Sequence, residues 1–435
     1  MQIQHHIWKI FWTAADKAIY ILYGLVYLVQ ASIMDPAELG LFALFIALNI
    51  WIFVLSDSFA LQLLIQFGFE ESNKKKVNSV VILLHVIVVI GLSSMVYIAT
   101  HLLSAEMPES RILEIGAYLP LLGLLMIPRT FAQKLMLKEH QTFKIFLSDV
   151  AFFAVMAYFI LYAKVNQLPW DFYDATETYF YGAGASSLIS VAMVWRELKF
   201  DFAGKVTIKE MLRFSFPITL TNLLNTIPKQ LDLFIVKLFF DLHYVGLYQT
   251  AKTLFRFFEE GMNGINGLVY PAAVRFMKSQ DLASFKQLLV KSVSFTFLTF
   301  VTLTFLFLTG IADVFIEWFL TEKYTLSLGL FKVMLFTALL LPFSIFYFLV
   351  VATGKINVLL KNTSISIVIS LVTYTVIGLL GIGMLMPLGY FAYLASMTIL
   401  NYKLLKNSTY VEFKSSDLFQ GIKDIKSYLQ NRSKS

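Results

Sequence analysis

Three observations predict an all-α polytopic membrane protein. Of the 435 residues, 58% are hydrophobic and only 14% are charged, a balance foreign to soluble domains. The apolar residues form continuous stretches long enough to cross a bilayer as helices, unlike the short alternating segments of an outer-membrane barrel. Lys and Arg also gather in every second connection, as loops on the cytoplasmic side do. The net charge of +7 therefore reflects loop chemistry, and no nucleic-acid partner is expected. The absence of cysteine removes a disulfide framework, a thiolate metal site and a cysteine nucleophile. The first apolar stretch is too long for a cleavable signal peptide, and it contains Asp16 and Lys17.

Twelve spans follow in order, at roughly 10–34, 38–66, 77–102, 112–136, 143–163, 177–195, 214–239, 243–272, 288–310, 326–351, 359–380 and 384–404. With the N-terminus inside, 25 basic residues fall in cytoplasmic segments, Lys134, Lys138 and Lys144 among them. Four (Arg111, Lys164, Lys323 and Lys332) fall outside. Both termini are thus expected in the cytoplasm. Beyond Lys406, the residues Leu418, Phe419, Ile422, Ile425 and Leu429 share one face beside Lys423 and Lys426. This predicts an amphipathic helix on the inner leaflet.

Span one carries a polar stripe of Thr13, Asp16, Lys17, Tyr20, Tyr23, Gly24 and Tyr27. Span seven carries another, of Ser215, Thr219, Asn222, Asn225, Thr226, Lys229 and Asp232, opposite a face of Leu, Ile and Phe. Such a stripe either lines a wet cavity or forms a polar seam in which Lys229 and Asp232 neutralise each other. The stripe alone leaves both readings open. The two spans also correspond at an offset of 206 residues, and Asp35-Pro-Ala-Glu-Leu-Gly40-Leu-Phe matches Asp241-Leu-His-Tyr-Val-Gly246-Leu-Tyr. Pro128 and Pro342, late in spans four and ten, also correspond if a few residues are inserted. Six spans separate the copies, so the halves are parallel repeats. The expected organisation is a six-helix lobe at 1–195, a cytoplasmic linker at 196–213, a second six-helix lobe at 214–405 and a tail at 406–435.

Span eight places Gln249, Lys252, Arg256, Glu259, Glu260, Asn263 and Gly267 on one face. Each charge would cost several kcal/mol against lipid, so this face is internal. Arg256 has Glu259 and Glu260 within reach on its own helix, whereas the nearest opposite charges on the helix of Lys252 are two turns away. Across the spans, the cations Lys17, Arg129, Lys229, Lys237, Lys252 and Arg256 are balanced by Asp16, Asp57, Asp149, Asp232, Glu259 and Glu260. Any cationic site must therefore come from their distribution. The short turn between spans seven and eight brings Lys229 and Lys252 to similar depth, with Arg256 one turn deeper, so the three are expected to converge. Lys17 and Arg129 sit in the inner half, and Lys237 is expected to snorkel. His85 reads as a core or surface residue, and His5 and His6 have no partners at metal spacing, so no metal site is expected. No P-loop is present, which excludes direct ATP hydrolysis. The short, sparsely charged outer loops argue against an integral-membrane glycosyltransferase, so no enzyme activity is expected.

The run Met34-Asp35-Pro36-Ala37-Glu38-Leu39-Gly40-Leu41-Phe42, with Phe216-Pro217, Leu231-Asp232 and Val245-Gly246-Leu247-Tyr248-Gln249, resembles the polysaccharide flippases. These are transporters of O-antigen-type lipid-linked oligosaccharides within the multidrug/oligosaccharidyl-lipid/polysaccharide exporter superfamily. Family members often carry a basic residue directly after the span-seven aspartate; here Leu233 stands there, with Lys229 nearby. The resemblance implies a MATE-like fold of two six-helix lobes around a cavity that opens alternately to each side. It also implies an undecaprenyl-diphosphate-linked substrate moved from the inner to the outer leaflet of a bacterial inner membrane, with no cofactor, for lipopolysaccharide or related surface polysaccharide. Membrane lipids and other polysaccharide-assembly proteins are the implied partners. Cations in a low-dielectric cavity suit a diphosphate, and Tyr20, Tyr23 and Tyr27 suit sugar contact. Two alternatives stand beside this one. A drug/cation antiporter of the same fold would bind H+ or Na+ at carboxylates such as Asp16, Asp232 and Glu260. A non-transporting scaffold of a glycan-assembly complex would tolerate neutral substitution along the stripes.

Overall fold

The proline of Asp35-Pro36 fixes where the second helix starts, because it needs no hydrogen bond at the first helical position. In the computed structural model Asp35 caps that helix, its carboxylate accepting from the Ala37 N–H at 3.0 Å. The structure describes residues 3–106, 111–409 and 411–420. Within these, only the backbone is described at 3–7, 9, 10, 13, 14, 106, 221, 225, 227–229, 312, 315, 316, 319 and 356. Among the described residues the regular structure is helical, apart from one isolated bridge between Met34 and Trp170.

The helices are α1 (Ile3–Ile33), α2 (Pro36–Ser56), α3 (Gln62–Phe67), α4 (Glu71–Glu106), α5 (Ile112–Lys138), α6 (Thr142–Val165) and α7 (Phe172–Val194). They continue as α8 (Ile208–Phe239), α9 (Leu242–Lys278), α10 (Leu282–Leu306), α11 (Ala312–Phe319), α12 (Thr325–Ala338), α13 (Ile345–Ala352), α14 (Ile356–Leu379) and α15 (Leu388–Thr409). A π-helical turn, Asp57–Leu61, joins α2 to α3 as one continuous stretch. Pro342 sits where α12 and α13 meet at a 47° bend, the physical reason being its missing N–H and its clash with the preceding turn.

Helix covers every one of the predicted spans. By length and composition, however, seven helices among the described residues are apolar enough to cross a membrane, or eight if the bent α12–α13 pair counts as one span. The helices that fall short are α1, α8 and α9, which carry the polar stripes, and α7, which is rich in Ser, Thr and Tyr. The protein is a multi-pass, all-α membrane protein; the count of twelve stays an expectation.

The chain divides into two compact units. Unit one is Met1–Thr226 with Asp241–Gly246, and unit two is Ile227–Phe240 with Leu247–Ser435. Within unit one, α4 packs on α5, α6 on α7, and α1 on α6. A core cluster that includes Leu61, Leu64, Val81, Phe131, Leu135 and Met211 closes the end where α3, α4 and α5 meet. The segment leading into α8 is fastened to α4. Asn73 Oδ1 accepts from the N–H groups of Lys205 (2.8 Å) and Val206 (3.2 Å), Ser79 Oγ accepts from Asp201 N, and Lys76 donates to the Gly204 carbonyl. The stretch expected as a linker is thus held on unit one, which sets where α8 begins.

At the other end of unit one, the two corresponding turns touch. A Cβ added at Gly40 would stand 2.1 Å from the Leu242 carbonyl oxygen, and one at Gly246 would stand 1.9 Å from that of Pro36. Pro36 and Leu242 are themselves 206 residues apart, so each glycine meets the counterpart of what the other meets. Beside this contact Arg111 donates to Glu114 (2.7 and 2.8 Å) and to Glu38, and Glu38 also accepts from the Phe172 N–H. These hydrogen bonds, first those to Glu114 and then those to Glu38, push the Arg111 guanidinium further above its ordinary pKa.

In unit two, α14 packs on α15, and α12 and α13 lean on α15. Residues 411–419 return along α10 and α15. Ser294 donates to the Leu418 carbonyl and Tyr402 to that of Phe413. The residues Ile422, Lys423, Ile425, Lys426 and Leu429 of the expected tail helix lie outside the described residues.

Candidate functional site

Asp16, Lys17 and Tyr20 of the α1 stripe and Asn222 and Thr226 of the α8 stripe lie on the wall of a cavity of about 760 Å³ in unit one. Asn49 comes from α2, and the π-helical turn supplies Asp57 and Ser58. Arg129, Gln133 and Lys134 come from α5, and Asp149 from α6. The cavity lies toward the start of α1, the end of α5 and the start of α6, the side that loop charge assigns to the cytoplasm.

Asp149 is the hub of one wall. It accepts from Arg129, from Gln133 Nε2 at 2.8 Å and from the Tyr20 hydroxyl at 3.2 Å, and the Asp16 carboxyl faces it. Arg129 also donates through Nε to Ser186 Oγ at 2.8 Å and lies over the Phe152 ring at 4.8 Å. Its guanidinium is therefore engaged on three sides and ties α5 to α6 and α7. Burying a charge costs several kcal/mol unless it is paired and hydrogen-bonded, and Arg129 meets both conditions. Lys17 differs: its side chain is 65% exposed, its ammonium stands 3.6 Å from Asp16, and it lies over the Tyr20 ring at 5.1 Å. On the opposite wall Lys134 Nζ donates to Asp57 at 2.7 Å, Gln62 Nε2 donates to the other Asp57 oxygen at 3.0 Å, and Asn222 Nδ2 donates to Ser58 Oγ at 2.8 Å. Tyr23 packs its ring on Phe153 at 4.5 Å and does not line the cavity.

A second cluster sits in unit two. Buried Asp232 accepts from Lys252 Nζ at 2.7 Å and from the Tyr248 hydroxyl at 3.2 Å. Tyr390 donates to Glu259 at 2.9 Å. These groups, with Phe255, enclose a void of about 10 Å³, room for about one water molecule. Arg256, half-exposed, lies 3.5 Å from Glu260 and outside that void. The side chains of Lys229, Asn225 and Thr13 lie outside the described residues.

Of the three cations expected to converge, the structure places Lys252 on Asp232 and Arg256 on Glu260. Lys252 finds on α8 the opposite charge its own helix lacks. The two readings of the α8 stripe divide along its length: Asn222 and Thr226 line a cavity, whereas Asp232 is sealed in a seam. Sequence reasoning passed over Asp57, Gln133, Lys134 and Asp149 as site residues. Asp57 and Asp149 had been counted only as membrane anions. Lys134 had been assigned to the cytoplasmic segments, but it is buried and points into the cavity. The available signal was Arg129 and Gln133 on one helical face, four residues apart, with Lys134 beside them. His85 is fully buried between Ser56 and Thr130, at 2.6 and 2.8 Å, as expected of a core histidine. Among the described residues no group of three His, Asp or Glu side chains could hold a metal.

The solved structures similar to this one include MATE family transporters and a flippase. The inward-facing conformation of a multidrug resistance MATE family transporter of the MOP superfamily matches at 13% identity and a TM-score of 0.69, over 90% of this chain and 96% of that one. The lipid II flippase MurJ in an inward closed conformation matches at 14% identity and 0.65, over 97% and 96%. A MOP superfamily transporter from Pyrococcus furiosus, described as having a binding pocket of reverse polarity, matches at 12% identity and 0.59, over 91% and 92%. At such identities the likeness is one of fold, and the fold is MATE-like. No curated protein matches the sequence. The family model for polysaccharide biosynthesis proteins matches residues 9–277, well over half of the chain, and the protein belongs to that family.

Proposed function

We propose that this protein is a flippase that carries an undecaprenyl-diphosphate-linked oligosaccharide, of the O-antigen type, from the inner to the outer leaflet of a bacterial inner membrane. In this reading twelve spans form two six-helix lobes, 1–195 and 214–405, joined through 196–213. They open alternately to the two sides, and both termini, with the tail 406–435, are cytoplasmic. Membership of the polysaccharide biosynthesis family supports the reading, and the single observation that carries it is the cavity of unit one. A void of about 760 Å³ is of the size that takes a small molecule or a headgroup. Its walls hold the accessible ammonium of Lys17 for phosphate, and hydroxyls and amides from Tyr20, Asn49, Gln133, Asn222 and Thr226 for sugar. Lys229, Lys252 and Arg256, in unit two, are further proposed substrate-binding cations, with Arg129 in unit one. Asp16, Asn225, Asp232, Glu259 and Glu260 are the polar and coupling groups. The test is export of a lipid-linked glycan into vesicles containing the purified protein. Export by the native chain and its loss in Lys17→Ala at equal protein level is the expected result; no export above empty vesicles would refute it.

A second reading is favoured by one observation: the facing carboxyls of Asp16 and Asp149, with Asp16 Oδ1 buried and without a hydrogen-bond donor among the described residues. Such a pair suits an H+- or Na+-coupled drug/cation antiporter. Uptake of a cationic dye driven by an ion gradient, abolished in Asp16→Asn while glycan export is absent, would establish that reading instead. A third reading, a non-transporting scaffold of a glycan-assembly complex, predicts that neutral substitutions in the cavity leave surface glycan unchanged.

A further inference from the structure

The cavity of unit one presents three cations among the described residues, and they are not equivalent. The Arg129 guanidinium is already held by Asp149, Ser186 and the Phe152 ring. Lys17 is largely exposed, with Asp16 at 3.6 Å and the Tyr20 ring at 5.1 Å. Lys134 is the informative one. Its side chain is 10% exposed, yet its ammonium has one hydrogen-bond partner among the described residues, Asp57 Oδ1 at 2.7 Å. An ammonium carries three donors, and among the described residues only one of them is taken. Leaving a buried ammonium under-coordinated costs stability, which points to a ligand that completes it.

The carboxylate on Lys134 is also unusually placed. Asp57 opens the π-helical turn that interrupts the α2–α3 stretch, and such turns are frequent at functional sites. The turn is anchored independently of Asp57: Ser58 Oγ donates to the Val54 carbonyl and accepts from Asn222 Nδ2. The Asp57 side chain is 37% exposed toward the cavity, and its second oxygen accepts from Gln62 at 3.0 Å. If an anion took Lys134, Asp57 would keep Gln62 and gain water, so its release costs little. The ammonium, by contrast, would exchange one carboxylate oxygen for several oxygens of a more highly charged group. Both charges of the pair survive such an exchange, unlike Arg129 and Asp149, which are sealed together.

We propose that Lys134 is a diphosphate-binding residue of the cavity and that Asp57 is its exchangeable counter-ion. Asp57 occupies the ammonium while the cavity is empty and yields it to a lipid-linked diphosphate. This rests on the flippase reading and adds to it a residue pair that sets affinity and release. A carboxylate that competes for the cation weakens binding, which a carrier needs because a substrate held too tightly is not delivered.

The experiment uses the full-length protein in lipid nanodiscs with undecaprenyl diphosphate as the probe, inorganic pyrophosphate as competitor, and vesicle export as a parallel readout. The native protein should bind the probe, and pyrophosphate should compete, which separates headgroup recognition from capture of the lipid chain. Lys134→Ala should weaken binding about tenfold or more, a change typical of losing one charge-assisted contact. Lys134→Arg should retain most binding. Asp57→Asn should tighten binding several-fold while slowing export, an opposite effect on the two readouts that a structural pair would not produce. To control for folding, the double variant Lys134→Met with Asp57→Leu, which removes both charges at similar volume, is measured for thermal stability. The proposal expects it folded and unable to bind. If the double variant restores binding and export lost in the single variants, the pair is structural and the proposal falls. If the native protein binds the probe and Lys134→Ala binds equally well, the proposal falls while the flippase reading stands. If the native protein binds neither the probe nor pyrophosphate, both fall.

Discussion

Substituting alanine for the glycines at the two outer turns tests the packing of unit one most directly. The Cβ of Gly40→Ala would lie 2.1 Å from the Leu242 carbonyl oxygen and 2.9 Å from the Gly246 nitrogen. Ordinary carbon–oxygen contact begins at about 3.3 Å, so the turns must part by about 1.2 Å. Both obstacles are backbone, which cannot rotate aside as a side chain can. Gly246→Ala meets the Pro36 carbonyl oxygen at 1.9 Å and requires a similar displacement. Overpacking of this kind costs about 1–3 kcal/mol, and each single variant should lose that much stability. Because one displacement relieves both clashes, the double variant should cost about as much as the worse single one, well short of the sum expected of independent sites. Gly91 on α4 has nothing within 4 Å of its added Cβ. Gly91→Ala is therefore the control and should be neutral or slightly stabilising, since alanine is the better helix former. The assay is reversible unfolding of the purified protein by denaturant in mixed micelles, read by tryptophan fluorescence. Strict additivity of the two variants, or a neutral effect at Gly40, would refute the reciprocal contact.

Reporter fusions after Lys76 and Lys205 should read cytoplasmic and those near Glu109 and Asp171 external; opposite signals at Lys205 and Asp171 would overturn the span assignment. Asp232→Ala should destabilise the protein by about 3–5 kcal/mol, because it leaves the Lys252 ammonium without its carboxylate in a nearly closed void. Replacing the pair together, Asp232→Leu with Lys252→Met, should recover most of that loss, and failure to recover would give the pair a role beyond packing. Arg129→Leu should reduce the yield of folded protein more than Lys17→Ala does, as judged by gel filtration after extraction, since Arg129 joins three helices and Lys17 joins none.

Some of this was legible in the chain because membrane helices write their environment into composition. The stripe of α1 placed Asp16, Lys17 and Tyr20 on one face, and the structure lines a cavity with them. Gly40 and Gly246, matched by sequence, stand where only a residue without a side chain allows two turns to touch. Pro342 marked a bend, since its ring cannot continue the preceding hydrogen-bond ladder. Other features were hidden for identifiable reasons. Lys134 looks like a loop lysine because it lies a few residues from the end of α5 and beside Lys138. Only the fold reveals that Asp57 reaches it from α2. Asp57 continues the Asn49, Ile50, Phe53 and Val54 face of α2, but that face is mostly apolar, so no polar stripe pointed to it. The choice of partner for Lys252 was equally unreadable. Lys229 stands three residues from Asp232 along the chain, whereas Lys252 reaches Asp232 across the turn between α8 and α9.

The same fact also explains why counting cations could not locate the site. Every cation described inside the spans by a contact, from Lys17 to Arg256, has a carboxylate nearby. A low-dielectric interior demands as much, because an unpaired buried charge costs several kcal/mol. Pairing therefore carries no information about function by itself. The surrounding volume carries it. Asp232 and Lys252 border a void of about 10 Å³, room for about one water molecule. Around Asp57 and Lys134 there is about 760 Å³, and the same kind of pair can open toward a ligand without being stranded. Two chemically alike ion pairs thus have different consequences because one faces a wall and the other faces a cavity.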